Sequence, residues 1–247
     1  MTEMANSAAQ SGKLQGGISL VIPCHNEAEN LQPVIGEALQ ALERITNDFE
    51  IVIVDDGSTD LTPEIVKQLM KYEPRIKLQS HPKNLGYGSA LRSGFEMAEK
   101  DYIFFTDADR QFKISEISEL IPHLDQSPMV IGYRENRQDP LHRRIYGRLF
   151  SFLIRLGFGI QARDVNCAFK IFDRKILEGE KLISPGALIN AELLSLAKAK
   201  GIEPIQVPVS HFPRKTGRPS GGSVRVILRA VRESVRLYFH RPGKYRR

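Results

Sequence analysis

The amino-acid sequence predicts an α/β protein built on a doubly wound open sheet, and three observations predict it. Short, apolar runs alternate with stretches whose apolar residues recur at helical spacing. The runs are apolar on both alternating positions, as strands buried on both faces of a parallel sheet must be. Several of them end in a turn rich in Asp, Asn, Gly or Ser, the side of an open α/β sheet where ligands gather.

Strands are expected at 18–22, 51–54, 76–79, 102–106 and 129–131, and a further one at 205–209. Between them, 27–45, 62–72, 88–99 and 115–124 carry the helical pattern, and Thr62-Pro63-Glu64 supplies a start signal. Beyond Tyr133 the character changes. Residues 141–156 read as a helix with Arg143, Arg144, Arg148 and Arg155 among apolar positions. Residues 186–200 read as another, and 223–239 as a last one.

Composition narrows the class. With 41% hydrophobic and 26% charged residues over 247 positions, the chain has ordinary globular material for a sizeable core. Two cysteines, Cys24 and Cys167, build neither a disulfide framework nor a metal-ligand spacing, which favours a reducing cytoplasmic setting. Residues 1–17 are polar and lack an apolar core, so a disordered tail is expected there rather than a signal peptide. No run reaches the roughly 20 apolar residues of a membrane span.

The net charge of +6 is unevenly placed: 214–247 holds eleven Lys/Arg against one acid, Glu233. Val224, Ile227, Leu228, Val231, Val235 and Tyr238 follow the helical period beside a stripe of Arg225, Arg229, Arg232 and Arg236. That pairing suits a helix lying on an anionic membrane surface. Nucleic acid is the poorer partner, because the stretch lacks aromatics in a base-stacking arrangement.

Four motifs carry chemistry: Pro23-Cys24-His25-Asn26-Glu27, Asp55-Asp56-Gly57-Ser58-Thr59-Asp60, Asn84-Leu85-Gly86-Tyr87-Gly88-Ser89-Ala90, and Asp107-Ala108-Asp109 with Gln111. Singly, each has an ordinary reading as a turn or cap. The third is not a dinucleotide fingerprint, since Leu91 stands where the last glycine is required. Two carboxylates one residue apart after a buried strand suit Mg²⁺ or Mn²⁺, which takes hard oxygen ligands and leaves positions for substrate phosphates. Nucleotidyl transfer would use the same elements, but its glycine-rich loop after strand one is absent.

In this order, the four motifs resemble the family 2 glycosyltransferases of GT-A fold, over roughly residues 18–220. Asp107-Ala108-Asp109-Arg110-Gln111 and Asp164-Val165-Asn166-Cys167-Ala168-Phe169-Lys170 look most like the polyprenyl-phosphate sugar synthases, such as dolichol-phosphate mannose synthases. The resemblance implies an open mixed sheet and a single GT-A domain, with 221–247 as a basic amphipathic addition. It implies a nucleoside pocket lined by Pro23, His25, Glu27, Val54 and Asp56, with Asp107 and Ala108 also on the donor. Asp107, Asp109 and Gln111 would hold the metal, and Arg134 and Arg214 would meet phosphate oxygens.

Asp164 is expected either as a base or as the partner that orients acceptor-site cations. The implied reaction is inverting transfer of a hexose from a nucleoside diphosphate to a polyprenyl phosphate at the cytosolic membrane face. A glycan, small molecule or protein acceptor is the alternative. Two departures bear on donor base and acceptor: His25 stands in place of an aromatic, and Cys167-Ala168-Phe169-Lys170 in place of Ser-Gly-Phe-Arg.

Overall fold

The computed structural model describes residues 14–135, 151–152, 154 and 156–214. Its strands are β1 (Ile18–Cys24), β2 (Phe49–Asp55), β3 (Ile76–Ser80), β4 (Tyr102–Thr106), β5 (Met129–Arg134), β6 (Phe169–Asp173) and β7 (Ile205–Val209). They form one sheet in the order β3-β2-β1-β4-β6-β5-β7. β1 pairs in parallel with β2 and β4, and β5 with β7, while β6 runs antiparallel between β4 and β5. The sheet is therefore mixed, as the GT-A resemblance implies.

That one reversed strand has a functional consequence. The carboxyl ends of β1, β2, β4, β5 and β7 lie on one edge, and the amino end of β6 joins them there. Residues on the loop before β6 and just after β7 thus reach the β1/β4 switch point, where strand order reverses and ligands bind in such sheets.

The helices are α1 (Ala28–Ile45), α2 (Thr62–Tyr72), α3 (Tyr87–Met97), a short α4 (Ile117–Leu120) and α5 (Ile189–Ala199). α1 packs on α2 and α4, and α3 packs on β1, β2 and α5. The helix expected over 115–124 is broken into α4 flanked by single 3₁₀ turns, one containing Pro122, which cannot donate to a helical ladder. α3 seats closely because it carries Gly94: a Cβ there would meet Val21 Cγ1 at 2.3 Å. Ile18, Leu20, Ile22, Ile51, Ile53, Phe104 and Phe105 are fully buried at the centre of the sheet.

β6 was not among the expected strands. Its Phe-Lys-Ile-Phe sequence places a lysine in a run of four buried residues, which masks the apolar pattern. Residues 14–17, expected within the disordered tail, make ties to the domain: Leu14 N donates to Ile45 O, and Gly17 N to Asp101 Oδ2. The rest of the expected tail, most of the expected 141–156 helix and everything from 215 onward lie outside the described residues. Among the described residues no helix is long and apolar enough to cross a membrane.

Candidate active site

The β1 and β2 ends are shaped by carboxylates that grip backbone. Asp55 Oδ1 accepts from Ser58 N at 3.0 Å, and Asp60 accepts from both Thr62 N and Ala28 N, tying the starts of α1 and α2 together. Asp56 accepts from Leu85 N and Gly86 N at 2.9 and 2.8 Å and pairs with His81 Nδ1 at 2.7 Å. A carboxylate has about four acceptor positions, so one remains for a ligand N–H or hydroxyl. Gly57 permits the close approach of this turn to the Lys83–Asn84 backbone; its φ is +68°, and a Cβ would stand 2.4 Å from a backbone carbon.

The residues expected around a nucleoside divide accordingly. Pro23 is half-buried at the edge and His25 is exposed, its Nδ1 3.0 Å from Asp56 O, which fixes the proton on that nitrogen in the neutral ring. Glu27 is buried, with Oε2 2.6 Å from Asn30 Nδ2. Val54 and Ala108 are core residues. Val54 is fully buried, with Cγ2 turned toward Gly94.

The β4 turn follows directly. Asp109 is buried, its Oδ1 accepts from Gln111 N at 3.1 Å, and Arg110 between them has φ +61°. Asn26, after β1, has φ +57°. Among the described residues these are the two non-glycine residues with positive φ, and both sit at the switch point, where strain of this kind is characteristically kept. Asp107 Oδ1 is buried without a hydrogen-bond partner. Burial, and secondarily the neighbouring Asp109 charge, pushes the Asp107 carboxyl up to about 7. Asp109 is raised as well, chiefly by burial. The Gln111 amide nitrogen donates to Phe212 O at 3.1 Å, so its oxygen is the atom it would offer a ligand.

Two arginines converge from the distal half. Arg214 joins the first half's acids: one guanidinium nitrogen bonds Glu27 Oε1, and Nη1 lies 3.5 Å from Asp109 Oδ2. Arg134, at the end of β5, holds Asp164 in a two-pronged pair at 2.6 and 2.9 Å, both side chains about nine-tenths buried. Asp164, expected as a base or as the partner of an acceptor-site cation, is thus paired with the Arg134 guanidinium. Both cysteines are buried, which pushes their thiols up, so neither is an activated nucleophile.

Three neighbours carried no sequence assignment of their own. Lys170 is fully buried in β6 and donates to Cys167 O and, at 2.9 Å, to Asn190 Oδ1. Desolvation, and then the nearby Asp107 charge, pushes the Tyr87 hydroxyl up. Tyr87 occupied a variable position within the glycine motif and Asn190 an ordinary helical one, so only the fold brings them together.

A divalent cation fits this donor set. Asp107 presents an unpartnered oxygen, and Asp109 Oδ2 already faces a cation in Arg214. Among the described residues no group of three His, Cys, Asp or Glu side chains converges to hold an ion unaided. Mg²⁺ commonly takes only one or two carboxylates and completes its shell with water and phosphate oxygens.

Comparison with known proteins supports the same reading of the chain. Residues 19–179 match the family described as Glycosyl transferase family 2. A dolichyl-phosphate beta-glucosyltransferase from Trichomonas vaginalis is 30% identical over 214 residues, covering 77% of this chain and 62% of its own. An undecaprenyl-phosphate 4-deoxy-4-formamido-L-arabinose transferase from Pectobacterium atrosepticum is 34% identical over 212 residues, covering 85% and 64%. The chain thus spans a little under two thirds of these relatives' length. The crystal structure of glucosyl-3-phosphoglycerate synthase from Mycobacterium tuberculosis with Mn²⁺ and UDP superposes with a TM-score of 0.67 at 18% identity, covering 92% of this chain and 81% of that one. At that identity the likeness is one of fold. With the motifs, the mixed sheet and the match to more than half its length, the chain belongs to glycosyl transferase family 2.

Proposed function

We propose that the chain catalyses metal-dependent, inverting transfer of a hexose from a nucleoside diphosphate to a polyprenyl phosphate at the cytosolic face of a membrane. The observation that carries the donor half is the buried, unpartnered Asp107 Oδ1 beside Asp109 at the switch point. Pro23, His25, Glu27 and the remaining acceptor position of Asp56 surround the nucleoside, and Asp107, Asp109 and Gln111 hold Mg²⁺ or Mn²⁺. When bound, the metal offsets charge that builds on the departing diphosphate.

The acceptor half follows from what the carboxylates are doing. Glu27 is tied to Asn30 and Arg214, and Asp164 to Arg134. None is placed as a base for a neutral hydroxyl. A phosphate monoester needs none, because its second ionisation lies near 6 and it is already anionic at neutral pH. One of its oxygens attacks the anomeric carbon while the bond to the nucleoside diphosphate breaks, inverting that centre. Arg134, held rigid by Asp164, presents its guanidinium to the acceptor phosphate, and Arg214 moves from the acids to the diphosphate. The names of the relatives, both transferases acting with a polyprenyl phosphate, support this acceptor. The basic stretch from 223 onward is assigned to the anionic membrane surface on its sequence pattern alone.

A panel of UDP- and GDP-sugars with Mn²⁺, read as a thermal shift, tests the donor half. A true donor at about 100 times its dissociation constant stabilises the fold by roughly 2.7 kcal/mol. No metal-dependent shift with any of them would refute the proposal.

A further inference from the structure

We infer that His81, backed by Ser93, is a positioning residue for the donor nucleobase: it fixes the Asp56 carboxylate so that one oxygen alone faces the base. The inference rests on the proposed place of Asp56 in the nucleoside pocket and assigns work to two residues outside that set.

Three hydrogen bonds decide which oxygen is offered. Asp56 Oδ1 accepts from Leu85 N at 2.9 Å and from His81 Nδ1 at 2.7 Å, while Oδ2 accepts from Gly86 N at 2.8 Å. Each carboxylate oxygen has about two acceptor positions, so Oδ1 is full and the open position belongs to Oδ2. A ligand meets it with a donor. Distance along the sheet selects the base as the source of that donor. β2 lies two strands from β4, about 10 Å at the usual strand spacing. From a diphosphate at the β4 end, that span reaches past the ribose. Uracil and guanine each carry an N–H on their pairing edge.

The His81 ring is held at both nitrogens. A carboxylate has no proton to give, so Nδ1 carries the ring proton, and Nε2 of the neutral ring accepts from the Ser93 hydroxyl at 2.9 Å. A serine inside a helix usually turns its hydroxyl to solvent or onto the carbonyl four residues back. In α3, Ser89 does the latter, onto Leu85 O at 3.1 Å, whereas Ser93 is directed at His81. The backbone adds to the grip: His81 directly follows β3, and its N–H donates to Asp55 O at 2.9 Å. The ring is 7% exposed and the Asp56 side chain 4%. Residues at the ends of β2 and β3 and on α3 thus converge on one carboxylate. The turn at Leu85 and Gly86 is already closed by their own N–H groups, so His81 adds orientation to it.

The test is nucleotide binding to the full chain at saturating Mn²⁺, measured by isothermal titration calorimetry with UDP and GDP. For the nucleotide that binds, His81→Leu should raise the dissociation constant by about 10-fold, the worth of one hydrogen bond to a charged group. His81→Asn, whose amide nitrogen can stand where Nδ1 stands, should restore most of the affinity. In an Asp56→Ala background, His81→Leu should change nothing further, because its route to the base is gone. The 2′,3′-dideoxy nucleotide should show the same loss between wild type and His81→Leu; a loss confined to the ribose form overturns the base assignment. Wild-type affinity in folded His81→Leu, or no rescue by His81→Asn, overturns the inference. Ser93→Ala decides the matter should His81→Leu not fold: binding weaker by about 3-fold supports the inference, and wild-type binding overturns it. Should Asp56→Ala bind nucleotide as wild type does, the pocket assignment itself fails and the role of His81 falls with it; should it lose affinity while His81→Leu does not, only the positioning role fails.

Discussion

The two halves of the site handle charge in opposite ways. At the β1 and β2 ends, Asp55, Asp56 and Asp60 are spent largely on backbone N–H groups. In the distal half, charge meets charge: Arg134 with Asp164, Arg214 with Glu27 and Asp109. A carboxylate bound to several amides cannot be exchanged without unmaking a turn, so the first half is a fixed frame. The Arg214 pairs can be exchanged for a phosphate that offers the guanidinium a better fork, so this side of the second half can respond to substrate. The contrast predicts that substitutions in the first half alter structure and donor affinity together, while those in the second separate rate from binding.

The largest effect is expected where the halves meet. Asp109→Ala should cut transfer by about a thousandfold, by analogy with the loss of one preorganised transition-state contact, while far-ultraviolet circular dichroism stays native. More than a few per cent residual activity at saturating Mn²⁺ would remove Asp109 from the metal site.

Arg134→Ala should lower kcat by about a hundredfold. It also strands Asp164, and breaking a buried pair from one side costs on the order of 3 kcal/mol. The double variant Arg134→Ala/Asp164→Ala should regain much of that stability in urea melts and none of the rate. Recovery of rate would show the pair to be structural. Arg134→Lys should restore only part of the activity, since the fork is lost.

Asp56→Ala should raise the donor dissociation constant and destabilise the fold together, by roughly 1–3 kcal/mol for the stranded amides. A loss of donor affinity with unchanged melting would break the contrast drawn above. The smallest effect concerns pH. Asp107 titrates in the folded state near 7 against an ordinary value of 3.8. Between those values the folded chain holds the proton and the unfolded chain does not, so stability of the metal-free enzyme falls as pH rises through this window. Asp107→Asn should flatten that slope, measured by melts at pH 5 and pH 8, and Mn²⁺ should bind more tightly as pH rises to about 7.

The same contrast explains what was legible in the sequence. The fixed frame is local: each turn follows its own strand, so Asp56, Asp107 and Asp109 stood out beside apolar runs, and β1, β2, α1 and α2 fell close to their expected bounds. The exchangeable half is assembled across the chain. Arg214 reaches Glu27 over 187 residues, and no periodicity reports such a distance. β6 was hidden by the very lysine it buries. The resemblance put Val54 at the nucleoside pocket, and its Cγ2 packs toward Gly94 of α3. Asn190 carried no signal at all, because only the fold sets it beside Lys170.

Acceptor chemistry tests the central proposal most directly. With the cognate radiolabelled sugar nucleotide and Mn²⁺, the enzyme is offered a polyprenyl phosphate and the matching polyprenol in identical vesicles. The expected result is label on the phosphate alone, released by mild acid as the free sugar, and lost in Arg134→Ala. Equal labelling of the alcohol, or label appearing only on a soluble acceptor, would contradict it.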